Sequence, residues 1–520
     1  MVCAPHHLAA EAGAGILRAG GTAVDAAIAT NAALNVACPQ ACGIGGDAFW
    51  LIYDATSRQV AFLNASGRAP QAATIEAFRA RGHSQVPHRG MLPVLVPGCV
   101  AGWCAAHERY GRLSLPALLA PAIGYATDGF PVSARLSAWI AGEAQTLRRF
   151  PASAHVFLPG GAPPSPGTRL VQKDLARSLG LVAEGGREAF YRGEIAEEIV
   201  EASALHGGLL TTEDFEAASV DWGEPIRSTY RGVEIVETPP NTQGLVALIA
   251  LNVVEAYDLR GMGFQSPDGL HLMIEAAKLG LTERDKYVTD PTFVEIPIER
   301  LIGKAHAASL RARILSERAT PRVGPGDARG DTVFVCAVDE AGNAVGLVQS
   351  IYFMFGSGVV AGDTGIVLQN RGAYFSLDPA HVNRLEPGKR TTHTLIASMA
   401  FREGELYAVL GTMGADGQPQ THLQLYSALI DHGLGIAEAI AAPRWLSGRF
   451  FVGDPAEPLG MEGRFPVETI EALHARGHPV QVVEDYAEVM GHANGVVVDR
   501  ARGLLHGASD PRSDGGAVGI

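Results

Sequence analysis

The sequence predicts an α/β protein built as a four-layer α-β-β-α sandwich. Three observations lead there. The Ala-rich stretch from Asp25 to Val36 is apolar on nearly every face and rich in helix formers, which marks a buried helix. A glycine-rich crossing, Gly43-Ile44-Gly45-Gly46, then enters the apolar run Ala48 to Tyr53. Beyond residue 330 the texture turns to paired strands with helices after them. Strand pairs covered by helices on both sides form stacked layers.

Taken in order, Leu8, Ala9, Ala12, Ile16 and Leu17 have the spacing of an amphipathic helix that Gly20-Gly21 ends. Pro39 stops the buried helix after it. Ala48 to Tyr53 reads as a strand that turns at Asp54, and Gln59 to Leu63 as its partner. From Ile75 to Thr320 the texture is mostly helical, most clearly over Ser114 to Thr127 and Asp268 to Leu279. Leu170 to Gln172 reads as a short β or turn piece, Tyr230 to Thr238 as a strand and Gly244 to Tyr257 as a helix. Ala319 to Ala328 is rich in Pro, Gly and Arg, and Pro321 and Pro325 block regular structure, so it reads as an exposed linker. Asp331 to Val338 is β-rich, Asp339 to Asn343 a hairpin turn, and Ala344 to Ser350 the returning strand. Gly356 to Gly365 is a glycine-rich loop and Ile366 to Leu368 another strand. Leu395 to Phe401 and Leu406 to Leu410 form a second hairpin. Gly411 to Gly417 is a loop, followed by a helix from Thr421 to His432.

Composition narrows the function. A formal charge of −14 over 520 residues argues against a nucleic-acid partner, which calls for a Lys/Arg-rich face. No run of eighteen apolar residues is present, so no membrane span is expected. The six cysteines include no C-x-x-C pair and read as small buried hydrophobes. Met1 to Leu8 lacks a basic stretch followed by an apolar one, which makes the cytoplasm the expected compartment. His6 and His7 have no carboxylate pattern around them to complete a metal site. Gly43 to Gly46 precedes a strand instead of opening a helix, so it is not a dinucleotide fingerprint. No metal or cofactor is expected.

Thr332 stands out by its place. It sits where an exposed linker meets a buried strand, after the compliant pair Gly330-Asp331. A threonine hydroxyl needs a base before it can attack an amide, and a free α-amine with a pKa of about 8 can serve. Cleavage of the Asp331–Thr332 bond by the threonine itself would create that amine. The products would be residues 1–331, carrying the linker at 319–331, and residues 332–520. Neither could bury a shared sheet alone, so the two fragments are expected to stay together. Gly414 and Ala415, in the loop Gly411 to Gly417, offer unshielded N–H groups for an oxyanion. Ser350 ends the strand that pairs with the Thr332 strand and could support the hydroxyl or the amine. His393, among Thr391, Thr392 and Thr394 and after Lys389 and Arg390, could hold an anion.

At this point the chain resembles the gamma-glutamyltranspeptidase family of N-terminal nucleophile hydrolases. The resemblance runs nearly end to end, through His7-Leu8-Ala9, Gly20 to Ala27, Pro39-Gln40, Gly43 to Gly46, Pro239-Pro240, Gly342 to Val345, Phe355 to Gly358 and Gly507 to Arg512. It implies a precursor that cuts itself, with Thr332 as nucleophile, Ser350 as its supporting hydroxyl, and Gly414 with Ala415 as the oxyanion pair. Ala415 replaces a usual glycine, and Val333 a usual threonine. Where family members grip the glutamyl ammonium with acids and an asparagine, this sequence has Arg371, Tyr374 and Tyr352. The serine pair for the α-carboxylate falls on His393 and Thr394, and the arginine for it on Ser66, with Arg68 two positions further. The stretch between Phe375 and Arg390 is shorter than the usual lid loop. An acidic acyl group without an α-amine suits Arg371, Arg68 and His393 better than glutamate does. The pattern resembles divergent members such as oxamate amidohydrolase and glutaryl-cephalosporin acylases. The expected function is therefore hydrolysis of a small anionic amide. A glutathione hydrolase or gamma-glutamyltransferase with a rebuilt pocket is the alternative, and an inactive binding or structural homologue a further one. A homodimer is left open.

Overall fold

The computed structural model describes residues 1–320, 331–448 and 458–520. Two sheets stack face to face. The first has seven strands in the order Gly516–Val518, Val2–Ala4, Asp331–Val338, Ala344–Tyr352, Asp47–Asp54, Gln59–Ala65, Asp221–Gly223. The second has six, in the order Leu504–Ser509, Asn494–Asp499, Glu405–Gly411, Ser398–Arg402, Val233–Glu237, Ile226–Tyr230. Both sheets draw strands from each side of residue 332.

Alternation decides which side chains face which layer. Along Asp331–Val338, Phe334, Cys336 and Val338 point between the sheets, against Met399, Val409 and Val496. Val333, Val335 and Ala337 point outward to the helices. The sheets approach closely at Gly411, where a Cβ would lie 2.4 Å from the Phe334 ring. Glycine is required there by space.

On the outer face of the first sheet lies Ala23–Ala37, buried along its whole length. Thr22 and Asp25 close its start by reciprocal capping bonds. His7–Arg18, Cys99–Tyr110 and Leu115–Asp128 pack around it, and Lys173–Tyr191 packs on the last two. The second sheet is covered by Gly244–Val254, Pro267–Tyr287 and Gly417–Tyr426. This is the expected four-layer sandwich.

Several local expectations change. Tyr230 to Thr238 is not one strand. The chain turns at Arg231 (φ 53°) and Gly232 (φ 80°), so Ile226–Tyr230 and Val233–Glu237 form a hairpin. Ile366 to Leu368 makes only isolated bridges, Val360 with Val367 and Gly45 with Leu368. The helix from Gly244 stops at Val254, short of Tyr257. The late helix starts at Gly417 rather than Thr421, and its last turn, Ser427–Asp431, widens to a π form. The linker is described only at Ala319 and Thr320; its remainder lies outside the described residues. Ala319 donates to the Arg476 carbonyl (2.7 Å) and Thr320 to Glu275 Oε2 (3.1 Å). All six cysteines are free, and only Cys104 is not fully buried. Among the described residues no helix is long and apolar enough to cross a membrane.

Candidate active site

The site forms where three adjacent strands of the first sheet end together. Gln349 pairs with Val333 and Tyr352 with Asp331, so Ser350 and Ile351 together oppose the single residue Thr332. This is a β-bulge, a device that re-aims side chains at a sheet end. On the other flank Ser350 pairs with Asp47. Thr332, Ser350 and Asp47 therefore lie in one row across the sheet, each almost fully buried. The bulge is held by the Tyr352 N–H donating to Ser350 Oγ (2.7 Å), and Tyr352 itself adopts φ 79°.

The second sheet brings its loop to the same end. After Glu405–Gly411 the chain turns through Gly414 (φ 124°) and Ala415 (φ 45°) into the helix Gly417–Tyr426. The Gly414 carbonyl accepts from Gly417 N–H (2.7 Å), and the Ala415 carbonyl from Gln418 N–H (3.2 Å). Among the described residues neither the Gly414 nor the Ala415 N–H donates a hydrogen bond. Gln243 fixes the loop. Its amide donates to the carbonyls of Ala415 (2.7 Å) and Thr394 (2.8 Å), while its oxygen accepts from Arg284 (2.7 Å). Arg284 in turn pairs with Asp416, both fully buried.

Arg371 completes the group. It begins a short 3₁₀ turn, Arg371–Tyr374, and is 1% exposed. Its Nη1 donates to Thr394 Oγ1 (3.2 Å), and its guanidinium lies 3.9 Å from the Tyr352 ring centroid. Tyr374 meets Tyr352 edge-on at 6.0 Å. Nη2 of Arg371 is buried and has no hydrogen-bond partner among the described residues. Burial lowers the Arg371 pKa, with Tyr352, Asp47 and Tyr374 opposing that shift.

His393 does not reach outward as an anion ligand. Its Nε2 meets Asp47 Oδ2 (3.1 Å) and its ring packs edge-on against Phe49. Burial pushes the Asp47 carboxyl up to about 7, against the pull of the Gly67 N–H, Arg371, Arg390 and Gln369. Burial, with Arg371, pushes His393 well down. The pair shares one proton in the acidic to neutral range. Arg68 also departs from expectation. Its guanidinium is committed to the Gly388 carbonyl (3.1 Å), Asp290 (3.5 Å) and Asp221 (3.4 Å). Ser66 donates to Asn64 Oδ1 (2.7 Å). The structure thus gathers Thr332, Ser350, Tyr352, Gly414, Ala415, Arg371, Tyr374, Thr394 and His393, and turns Arg68 toward a neighbouring acidic pair.

Sequence reasoning missed Asp47 and Gln243. Asp47 is the one acid between the glycine-rich crossing and an apolar strand, a position that signals a buried carboxyl. Gln243 follows Asn241-Thr242 at the start of an apolar helix, and nothing in that pattern marks it. His6 caps the helix His7–Arg18 through Nδ1. His271, Glu275 and His478 have ligand atoms within 4.8 Å of one another. However, Lys278 Nζ already sits 2.8 Å from Glu275, and His271 and His478 bond to each other (2.8 Å), so the place of a cation is filled.

The arrangement offers a buried hydroxyl at a strand end, two N–H groups of one loop that donate no hydrogen bond among the described residues, and a guanidinium with a spare donor. Comparisons with known proteins bear on the whole chain. The chain is 44% identical to the "Glutathione hydrolase-like YwrD proenzyme" of Bacillus subtilis, over 100% of this chain and 98% of that protein. It is 40% identical to the "Oxamate amidohydrolase proenzyme" of Klebsiella pneumoniae, over 100% and 98% respectively. A crystal structure of cephalosporin acylase from Bacillus halodurans superposes with a TM-score of 0.93 at 40% identity, covering 99% of this chain and 94% of that one. The profile described as Gamma-glutamyltranspeptidase matches residues 9–520, and the chain belongs to that family, as an enzyme of the N-terminal nucleophile hydrolase type.

Proposed function

We propose that the chain is a proenzyme that cuts itself before Thr332 and then hydrolyses amides of small acidic acyl groups through a threonyl ester. The observation that carries the substrate class is Arg371, buried beside the Thr332 row with one Nη donor unpartnered among the described residues. An unpaired buried donor on a charged group is unfavourable, and a carboxylate bound there would satisfy it. A glutamyl ammonium would meet the same guanidinium and be repelled. The relatives named as an oxamate amidohydrolase and an acylase support this choice.

In the mature enzyme the α-amine of Thr332 takes the proton of its own hydroxyl. The oxygen then attacks the amide carbon, and the Gly414 and Ala415 N–H groups receive the oxyanion. The amine leaves with the proton, and water releases the acid from the ester. Ser350 holds the threonine in its bulge, while Gln243 keeps the oxyanion loop fixed. Asp47 and His393 form a buried support beneath Arg371.

A denaturing gel with an activity panel tests this reading. The chain should appear as fragments 1–331 and 332–520, and Thr332→Ala should abolish both the cut and the activity. Glutaryl and oxamate amides should be turned over in preference to a gamma-glutamyl anilide. Turnover of the glutamyl compound alone would instead establish the glutathione hydrolase alternative. An intact, inactive chain would point to a binding protein.

A further inference from the structure

A small cleft ends on Thr332 and Val333, and shares only Thr332 with the Arg371 group. Besides the Cys38 thiol, four acids and histidines line its walls: His6, Glu488, His492 and Asp514. Three are engaged. Glu488 accepts from Trp139 Nε1 (2.9 Å) and faces Arg135 at 3.3 Å. Asp514 faces Arg135 at 3.5 Å. His6 Nδ1 accepts from the Leu8 N–H (3.3 Å). His492 differs, because its Nε2 is buried and has no hydrogen-bond partner among the described residues.

A second set of contacts ties His492 to the reacting centre. Its neighbour Gly491 abuts the oxyanion loop: a Cβ there would lie 2.7 Å from the Met413 carbonyl oxygen, and one on Gly414 would lie 3.8 Å from Gly491 Cα. Arg444 Nη1 anchors the segment through the carbonyls of Met490 (3.2 Å) and Gly491 (2.9 Å). Asn494 Nδ2 donates to the Phe334 carbonyl (3.2 Å), two residues along the strand from Thr332.

Maturation poses a chemical problem that later turnover does not. Before the cut the nitrogen of Thr332 is an amide and has no basic lone pair, so the hydroxyl needs another base. We propose that His492 is the proton acceptor for self-cleavage of the 331–332 bond, directly or through one water. It takes the Oγ1 proton as that oxygen bonds to the Asp331 carbonyl carbon. It returns the proton to the Thr332 nitrogen as the C–N bond breaks. An ester and a free α-amine result, and one water then splits the ester into the Asp331 α-carboxylate and the restored hydroxyl. Burial holds the His492 pKa down at about 4, with Asp510 and Asp514 pulling it up and Arg135 and Arg444 pushing it down. Its ring is therefore neutral at physiological pH, and the proton it takes is readily passed on.

The inference rests on the proposed self-cleavage, so the experiment separates the two. Freshly translated wild-type, Thr332→Ala, His492→Ala and His492→Gln chains are followed by denaturing gel, with and without imidazole. The wild type should split. Both His492 variants should split at least about 100-fold more slowly, within the range expected for loss of a general base. Imidazole should restore cleavage to His492→Ala and not to Thr332→Ala. Cleavage of either His492 variant at the wild-type rate would overturn the inference while leaving self-cleavage intact. So would a slow His492→Ala chain that imidazole does not rescue, because the ring would then be structural. An intact wild-type chain would overturn the self-cleavage reading itself.

Discussion

Arg371→Met removes a charge while keeping most of the side-chain bulk. The guanidinium is almost fully buried, with Thr394 Oγ1 at 3.2 Å and the Tyr352 ring at 3.9 Å. A substrate carboxylate about 4 Å away, at an effective dielectric near 20, gains roughly 4 kcal/mol. Its loss corresponds to roughly 10³-fold in kcat/KM. Methionine packs against the same tyrosine rings, so an uncharged acyl group of equal length should lose less than about tenfold. The assay compares kcat/KM for glutaryl and pentanoyl 4-nitroanilides in wild type and variant, with a folding check by thermal melting. A specific collapse of glutaryl turnover is expected. Equal losses for both acyl groups, or none for either, would refute the assignment of Arg371 as the carboxylate grip.

Three other perturbations probe the site. Gly414→Ala places a side chain at φ 124°, a region L-residues rarely adopt, and should cost about 1–3 kcal/mol of stability in denaturant titration and at least about 10² in kcat. Gln243→Leu releases the carbonyls of Ala415 and Thr394 together and strands a bond from Arg284; kcat for charged and uncharged acyl groups should fall alike, with melting lowered. The Asp47–His393 pair gives a pH signature. Between about pH 4 and 6.5 the unfolded pair holds one proton, on histidine, and the folded pair also holds one, so the pair adds no slope. With Asp47→Asn only the depressed histidine remains: the unfolded state binds the extra proton, so stability relative to wild type should rise with pH toward 6.5. With His393→Asn only the raised carboxyl remains, and relative stability should fall from pH 4 to about 7. Parallel pH curves for both variants would show that the two groups do not share a proton.

Much of this was readable from residues whose neighbours reinforce one another. Asp331 to Ser350 alternates cleanly around a polar turn, and the helix Ala23–Ala37 is apolar all round because it lies between a sheet and other helices. What the chain alone hid depends on distant partners. Arg68 reads as a free cation, yet Asp221 and Asp290 draw it away, and they stand 153 and 222 residues later. His393 reads as an anion ligand, yet a carboxyl 346 positions earlier takes its Nε2. Ile366 to Leu368 has strand composition, but Gly362 and Gly365, both at positive φ, bend the chain before it can join a ladder. Local pattern fixes an element's type, while long-range pairing decides where its polar groups turn.

Asp331–Val338 is an interior strand, with Val2–Ala4 on one side and Ala344–Tyr352 on the other. Severing the peptide between its first two residues would release only the Asp331–Tyr352 pair and leave the ladder from Val333 onward in place. The consequence lies in what happens after unfolding. An uncut chain recovers by a first-order search, since its halves are tethered. A cut one has two polypeptides that must find each other by diffusion, so its recovery becomes second order and slows on dilution. The proposed maturation would turn a chain whose halves are tethered into one that survives mainly by never coming apart.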